Sequence, residues 1–222
     1  MLLLHGLGMS STTWCHNIEA LSKYFSIYAL DLPGFGNSFA PYLSEYSLER
    51  YAETVYGVIS ALEIDRAHLV GSSFGGAIAA LVSLRHPEKV NRLIVIGAVG
   101  FRATTFFGAS INGPKKTSSR EDMADFGFSD EVASKIIKNI SPEMLQDLEK
   151  QTLLKRSVMV ITGESDPLTQ REAVCSIIAR NPLAKCVIIP DAGHLPHEER
   201  PEAVNRHIIS YCSGIQVNTF CG

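Results

Sequence analysis

Two adjacent serines lie in the stretch HLVGSSFGG at residues 68–76, where a short apolar run meets a cluster of glycines. Gly71, Ser73 and Gly75 form the pattern G-x-S-x-G at a predicted junction between a strand and a helix. A sharp turn there lifts the serine above the sheet, and glycines are needed where neighbouring backbone leaves no room for a Cβ atom. Ser72 lacks this glycine spacing, so the sequence favours Ser73 as a nucleophile. A glycine-rich turn with an idle serine is the alternative interpretation of the motif alone.

A serine hydroxyl is a weak nucleophile at neutral pH, so it needs a base, and the base needs an orienting acid. Candidates for both follow predicted strands later in the chain, Asp166 in GESDP and His194 in DAGH. The carboxyl ends of parallel strands meet at one edge of a sheet, where such proteins gather their ligand-binding residues. Taken singly, Asp166 could cap a helix and His194 could fix a loop. Their order after Ser73 favours a Ser-His-Asp triad.

Two other aspartates are weaker candidates for the orienting acid. Asp191 lies on the same loop as the candidate base, and Asp31 follows an early strand. We therefore predict that Asp166 is the acid.

The stretch HGLG at residues 5–8 is a candidate for stabilising an oxyanion, because its glycines let the chain turn toward the nucleophile. The backbone N–H of Leu7 is then one predicted donor, and the N–H of Phe74, directly after the nucleophile, is the other. His5 is predicted to fix this loop rather than to act as a base.

Strand and helix patterns alternate along the chain, and the strands are almost continuous runs of Val, Ile and Leu. This combination is typical of a doubly wound α/β domain with a mostly parallel sheet covered on both faces. The predicted strands cover residues 2–5, 26–32, 67–72, 90–97, 157–163 and 184–190. The predicted helices cover residues 10–24, 48–62, 74–85, 168–180 and 201–212, with Ser47 as the N-cap of the second.

One segment interrupts this alternation. Residues 101–156 lack a strand pattern and contain two amphipathic helical candidates, which follow Ser129 and Ser141. We interpret the segment as a helical cap inserted into a core of residues 1–100 and 157–222. A disordered linker is the alternative, although the apolar helix faces must pack against something. The cap also holds a group of phenylalanines, Phe101, Phe106, Phe107, Phe126 and Phe128.

The composition excludes several other classes of protein. A formal net charge of −3 over 222 residues gives no electrostatic signature of nucleic-acid binding. No apolar run approaches the ~20 residues of a membrane-spanning helix, and no signal peptide is recognisable, so we expect a cytoplasmic protein. The pattern predicts no metal site and no cofactor, because the histidines lack ligand spacing. The five cysteines form no CxxC pair and are expected to be reduced thiols.

The motifs HGLG, DLPGFGNS (31–38), GSSFGG (71–76), GESDP (163–167) and GH (193–194) resemble those of the α/β-hydrolase superfamily. The resemblance covers nearly the whole chain and is closest to capped serine esterases and to the carbon-carbon bond hydrolases of meta-cleavage products. Members of the family usually have two further strands before the HG strand. Here the HG strand begins at the first methionine, so either the fold is a minimal version or this start omits native residues. Without those two strands, the strand at 26–32 should lie at a sheet edge.

The resemblance implies a hydrolase that cleaves a small carboxylic ester through an acyl-enzyme. Carbon-carbon bond hydrolysis uses the same triad and remains an alternative. A non-catalytic receptor for a small ligand on the same fold is an alternative of another class. The expected partner is a small-molecule substrate, and the sequence leaves its identity and the oligomeric state open.

Overall fold

A parallel sheet forms the centre of the molecule, as the alternating sequence pattern predicted. The computed structural model describes residues 1–39, 46–97, 157–168 and 181–214, together with positions 105–106, 109–110, 136, 139, 144–145, 147–148, 151–152 and 179. In chain order the strands are β1 (Leu2–Leu4), β2 (Tyr28–Leu30), β3 (Ala67–Ser72), β4 (Val90–Ile96), β5 (Thr105–Phe106), β6 (Ala109–Ser110), β7 (Val158–Gly163) and β8 (Lys185–Ile189).

Within the described residues the main sheet has the strand order β2-β1-β3-β4-β7-β8, and every neighbouring pair is parallel. The strand β2 lies at one edge, as predicted from the position of the HG strand at the start of the chain. Because the strands are parallel, the segments that follow β3, β7 and β8 all leave the sheet at the carboxyl ends of the strands. All three candidate catalytic residues therefore lie on that side of the sheet.

Successive residues of each strand point to opposite faces of the sheet and build two separate apolar cores. Leu2 and Leu4 belong to one core with the helices that follow β2 and β3, whereas Leu3 belongs to the other with Trp14 and Ile208. Each of these side chains is buried. The unbroken apolar strands are thus explained by coverage on both faces, which is what defines a doubly wound fold.

Helices cover both faces of the sheet, at α1 (Cys15–Ser22), α2 (Leu48–Ala61), α3 (Phe74–Arg85), α4 (Pro196–Glu199) and α5 (Pro201–Ser213). The predicted N-cap is confirmed, because the hydroxyl of Ser47 accepts a hydrogen bond of 3.2 Å from the amide of Arg50. The predicted helix at 168–180 falls almost entirely outside the described residues. Among the helices that are described, none has the length and apolar character needed to cross a bilayer.

Three details differ from the sequence prediction. The predicted helix at residues 10–24 begins as a 3₁₀ turn over Ser11–Trp14 and becomes an α-helix only afterwards. The short helix α4 was not predicted, since four residues are too few to show a helical period. The antiparallel hairpin of β5 and β6 lies in a segment predicted to hold no strand, and two-residue strands are likewise too short to leave a pattern.

Part of the predicted cap segment contacts the core. Ile136, Leu145 and Leu148 are helical, buried and packed into the same core as α2 and α3. The side-chain amide of Asn139 donates a 2.6 Å hydrogen bond to the carbonyl oxygen of Tyr46. The side chains of the five cap phenylalanines lie outside the described residues. The division into core and cap therefore stays a prediction.

Candidate active site

Ser73 occupies the turn between β3 and α3 in a strained backbone conformation, with φ 50° and ψ −115°. Residues other than glycine rarely adopt a positive φ, and such strain is concentrated at functional sites. A Cβ atom on Gly71 would lie 2.2 Å from the carbonyl oxygen of Gly75, and one on Gly75 would lie 2.3 Å from that of Leu4. The glycine spacing therefore has the physical basis that the sequence indicated. Backbone packing around the turn leaves no room for larger residues.

The two adjacent serines have different surroundings. Ser72 is the last residue of β3, has no solvent exposure, and its hydroxyl has no hydrogen-bond partner in the described part of the chain. The backbone amide of Ser73 donates a 2.8 Å hydrogen bond to the carbonyl oxygen of Ile96, which holds the turn in place. Its side chain faces the candidate base. The geometry thus separates the two hydroxyls as the glycine spacing did.

The structure brings Ser73, His194 and Asp166 into one hydrogen-bonded chain. Nε2 of His194 lies 3.1 Å from Oγ of Ser73, and Nδ1 lies 3.1 Å from each carboxylate oxygen of Asp166. An ionised carboxylate can only accept, so the proton of a neutral imidazole sits on Nδ1. Nε2 is then left as an acceptor for the serine hydroxyl. This arrangement can remove a proton from Ser73 during nucleophilic attack.

Asp166 is oriented by its own loop. Its side chain is fully buried, and Oδ1 also accepts a 2.8 Å hydrogen bond from the amide of Leu168. One carboxylate therefore bonds both to the imidazole of His194 and to a backbone amide of its own loop.

Two glycines that the sequence analysis did not single out contact the loop of His194. A Cβ atom on Gly97, at the end of β4, would lie 2.5 Å from the carbonyl oxygen of His194. One on Gly163, at the end of β7, would lie 2.0 Å from that of Gly193. The signal was present in the sequence, since each glycine ends a predicted strand. The histidine loop can cross the ends of β7 and β4 because both positions lack side chains.

The loop of residues 5–8 lies beside the candidate nucleophile. A Cβ atom on Gly6 would be 3.4 Å from the Cβ of Ser73. Neither the amide of Leu7 nor that of Phe74 donates a hydrogen bond to a described residue. Phe74 is also the first residue of α3, where backbone N–H groups are unpaired and the helix dipole favours negative charge. Both predicted oxyanion donors are therefore unpaired within the described part of the chain, and their role remains a prediction.

His5 fixes this loop, in line with its predicted role. The ring is fully buried, Nδ1 lies 2.7 Å from the carbonyl oxygen of Gly6, and Nε2 accepts from the amide of Leu32 at 2.9 Å. These partners assign the proton of the neutral ring to Nδ1. Burial lowers the pKa of His5 below its usual value and so disfavours the charged ring.

The two other candidate acids, Asp31 and Asp191, do not bond to the imidazole of His194 in the described structure. The carboxylate of Asp31 accepts hydrogen bonds from the amides of Ser11 at 2.7 Å and Asn37 at 2.9 Å. Burial alone would raise the pKa of Asp31, but these amides outweigh it and lower the pKa. Asp191 is exposed in a turn with φ 51°. In the described structure the carboxylate bonded to His194 is that of Asp166.

A second histidine lies behind the site. His197 is fully buried, its ring packs against that of Trp14 at a centroid distance of 4.4 Å and an interplanar angle of 38°, and Nε2 lies 3.0 Å from the hydroxyl of Thr13. Burial, with a smaller effect from His194, lowers the pKa of His197 to about 3. It is therefore neutral near physiological pH and packs as a structural side chain.

Comparisons with known proteins find relatives of this chain. Residues 1–207 match the model of the alpha/beta hydrolase family. Carboxylesterase YbfK of Bacillus subtilis (strain 168) is 29% identical over 243 residues, covering 97% of this chain and 81% of that protein. The 2-hydroxymuconate semialdehyde hydrolase of Pseudomonas sp. (strain CF600) is 39% identical over 103 residues, covering 45% of this chain and 36% of that protein.

The fold is shared with solved structures. The meta-cleavage product hydrolase CumD of Pseudomonas fluorescens IP01 superimposes with a TM-score of 0.72 at 24% identity, covering 96% of this chain and 90% of that one. At this level of identity the comparison supports the architecture and leaves the substrate undetermined.

Proposed function

Because the chain belongs to the alpha/beta hydrolase family, we propose that it hydrolyses small carboxylic esters through an acyl-enzyme intermediate. The imidazole of His194 carries this proposal, since it lies within hydrogen-bond distance of both the Ser73 hydroxyl and the Asp166 carboxylate. Similarity to a carboxylesterase over nearly the whole chain supports the same class of reaction.

In the proposed acylation step, Oγ of Ser73 attacks the ester carbonyl carbon while Nε2 of His194 takes the hydroxyl proton. The amides of Leu7 and Phe74 donate to the oxyanion of the tetrahedral intermediate. When the carbon–oxygen bond to the alcohol breaks, the protonated imidazole gives its proton to that alcohol. Asp166 keeps the imidazole in the required tautomer and stabilises its positive charge.

Deacylation repeats the same proton transfers with water. Nε2 of His194 removes a proton from a water molecule, which attacks the acyl carbon, and the proton then passes to the leaving oxygen of Ser73. The products are a carboxylic acid and the regenerated hydroxyl. No redox partner is required by this sequence of steps.

The direct experiment is a steady-state assay with p-nitrophenyl acetate. We expect saturable turnover, with a burst of p-nitrophenol when deacylation is slower than acylation. Absence of turnover with this and other activated esters, together with tight binding of a small ligand, would instead favour a non-catalytic receptor.

Carbon-carbon bond hydrolysis is the second candidate. The 39% identity over 103 residues to a 2-hydroxymuconate semialdehyde hydrolase favours it. A chromogenic dienone substrate distinguishes the two reactions, because its colour is lost on cleavage. A kcat/KM for the dienone far above that for any ester would make this the principal activity.

A further inference from the structure

Glu199 contacts the backbone on both sides of His194. Its Oε2 accepts a 2.6 Å hydrogen bond from the amide of Gly193, and its Oε1 accepts a 3.0 Å hydrogen bond from the amide of Leu195. The carboxylate also lies flat against Gly193, where a Cβ atom would be 3.3 Å from Oε1. One side chain thus holds the residue before and the residue after the proposed base.

The carbonyl oxygens of this loop are bonded separately from the carboxylate of Glu199. That of Ala192 accepts from the amide of Ser165 at 2.9 Å, and that of Leu195 accepts from the backbone amides of Glu198 at 2.9 Å and Glu199 at 3.0 Å. The carbonyl oxygens of Gly193 and His194 rest on the glycines at the ends of β7 and β4. Among the residues that the structure describes, only the carboxylate of Glu199 accepts from the two amides that flank the histidine.

We propose that Glu199 is a positioning residue that sets the distance between Nε2 of His194 and Oγ of Ser73. This inference rests on the proposed function, in which His194 is the base. Glu199 itself is solvent-exposed, and its carboxylate accepts from the amides of Gly193 and Leu195, so it acts through the backbone of the histidine loop. Hydrogen bonds to an ionised carboxylate are among the stronger ones available to backbone amides.

The bidentate geometry requires both the charge and the length of glutamate. In Glu199→Gln one carboxylate oxygen becomes an NH₂ group, which faces an N–H donor and cannot accept from it. In Glu199→Asp the charge is kept, but the side chain is one methylene shorter and cannot reach both amides. Both variants should release the loop, although only the first removes the charge. Glu202→Gln is the matched control, because it removes an exposed carboxylate nearby at the start of α5.

The first measurement compares kcat and KM for p-nitrophenyl acetate. We expect kcat to fall by about 10- to 100-fold in both Glu199 variants with KM nearly unchanged, since a misplacement of about 1 Å can reduce the rate about 100-fold. Glu202→Gln should keep the wild-type kcat. If kcat per folded molecule, measured with circular dichroism, stays at the wild-type value in both Glu199 variants, the proposal is wrong.

The second measurement repeats Glu199→Gln in a His194→Ala background and follows the residual turnover. A residue that acts only through the imidazole has nothing left to position there, so the second substitution should cause no further loss. An equal fold-loss in both backgrounds would overturn the proposal. If His194→Ala alone kept wild-type turnover, the proposed function would fail at the base and the positioning role with it. Wild-type kcat in Glu199→Gln, beside a large loss in His194→Ala, would overturn the positioning role alone.

Discussion

Nε2 of His194 lies 3.1 Å from Oγ of Ser73, although 121 positions separate the two residues in the sequence. The sheet order explains how they meet. Ser73 follows β3, His194 follows β8, and β4 and β7 lie between those strands. Gly97 and Gly163, which end the two intervening strands, let the histidine loop pass close over the sheet edge. The contact therefore depends on two positions that take no part in the chemistry.

Gly97→Ala should lower activity by displacing this loop. The new Cβ atom would lie 2.5 Å from the carbonyl oxygen of His194, and the backbone at Gly97 has φ +53°, which strains any side chain. We expect kcat to fall by about 10- to 100-fold, the range reached when a base moves by roughly 1 Å.

Gly57→Ala is the matched control for that glycine. A Cβ atom there meets no atom within 4 Å, and the position lies inside α2. Alanine in a helix interior should raise the free energy of unfolding by about 0.5–1 kcal/mol without changing kcat. Equal kcat in both variants would show that the position of the histidine loop does not require glycine at residue 97.

The pH dependence of kcat/KM should follow the protonation of His194. A protonated imidazole cannot accept the serine proton, so activity should fall on the acid side and recover as the pH rises. A profile of kcat/KM that is flat between about pH 5 and about pH 8 would exclude histidine as the base. His197 does not contribute to this loss of activity on the acid side, because burial lowers its pKa to about 3.

His197 should instead make stability depend on pH. Its pKa is about 3 in the folded chain, mainly because of burial, and about 6.5 when unfolded. The unfolded chain therefore binds the proton first, and stability that is complete above about pH 6.5 is lost as the pH falls toward about 3. The uptake of one proton changes the free energy of unfolding by at most about 1.4 kcal/mol per pH unit. Denaturant titrations of the wild type and of His197→Asn over this window measure the contribution, and equal slopes in the two proteins would contradict it.

The predicted cap should control the choice of acyl chain. If the side chains of Phe101, Phe106, Phe107, Phe126 and Phe128 line the acyl pocket, truncation to Ala should change the ranking of acetyl, butyryl and octanoyl esters. A pocket discriminates by about 1–3 kcal/mol per methylene, so preferences should shift by about 10- to 200-fold. Equal losses on all three esters, in step with lost stability, would mean that the phenylalanines only attach the cap to the core.

The sequence predicted the sheet and the candidate triad for a physical reason. Strands buried on both faces must be continuously apolar, and the turn at Ser73 tolerates only glycine at the positions two residues before and after it. The helix α4 and the hairpin of β5 and β6 could not be predicted, because elements this short have no period. The two hydrogen bonds that Glu199 accepts were not predicted, for a related reason. An exposed glutamate on a short helix resembles any solvated residue until its two amide partners are known.

Ser73 and Ser72 provide the most direct test of the proposed mechanism. The wild-type protein is treated with a fluorophosphonate, and the modified serine is identified by mass spectrometry of its peptides. We predict a label on Ser73 alone, a loss of turnover of about a million-fold in Ser73→Ala, and near wild-type activity in Ser72→Ala. A label on Ser72, or substantial turnover by Ser73→Ala, would contradict it.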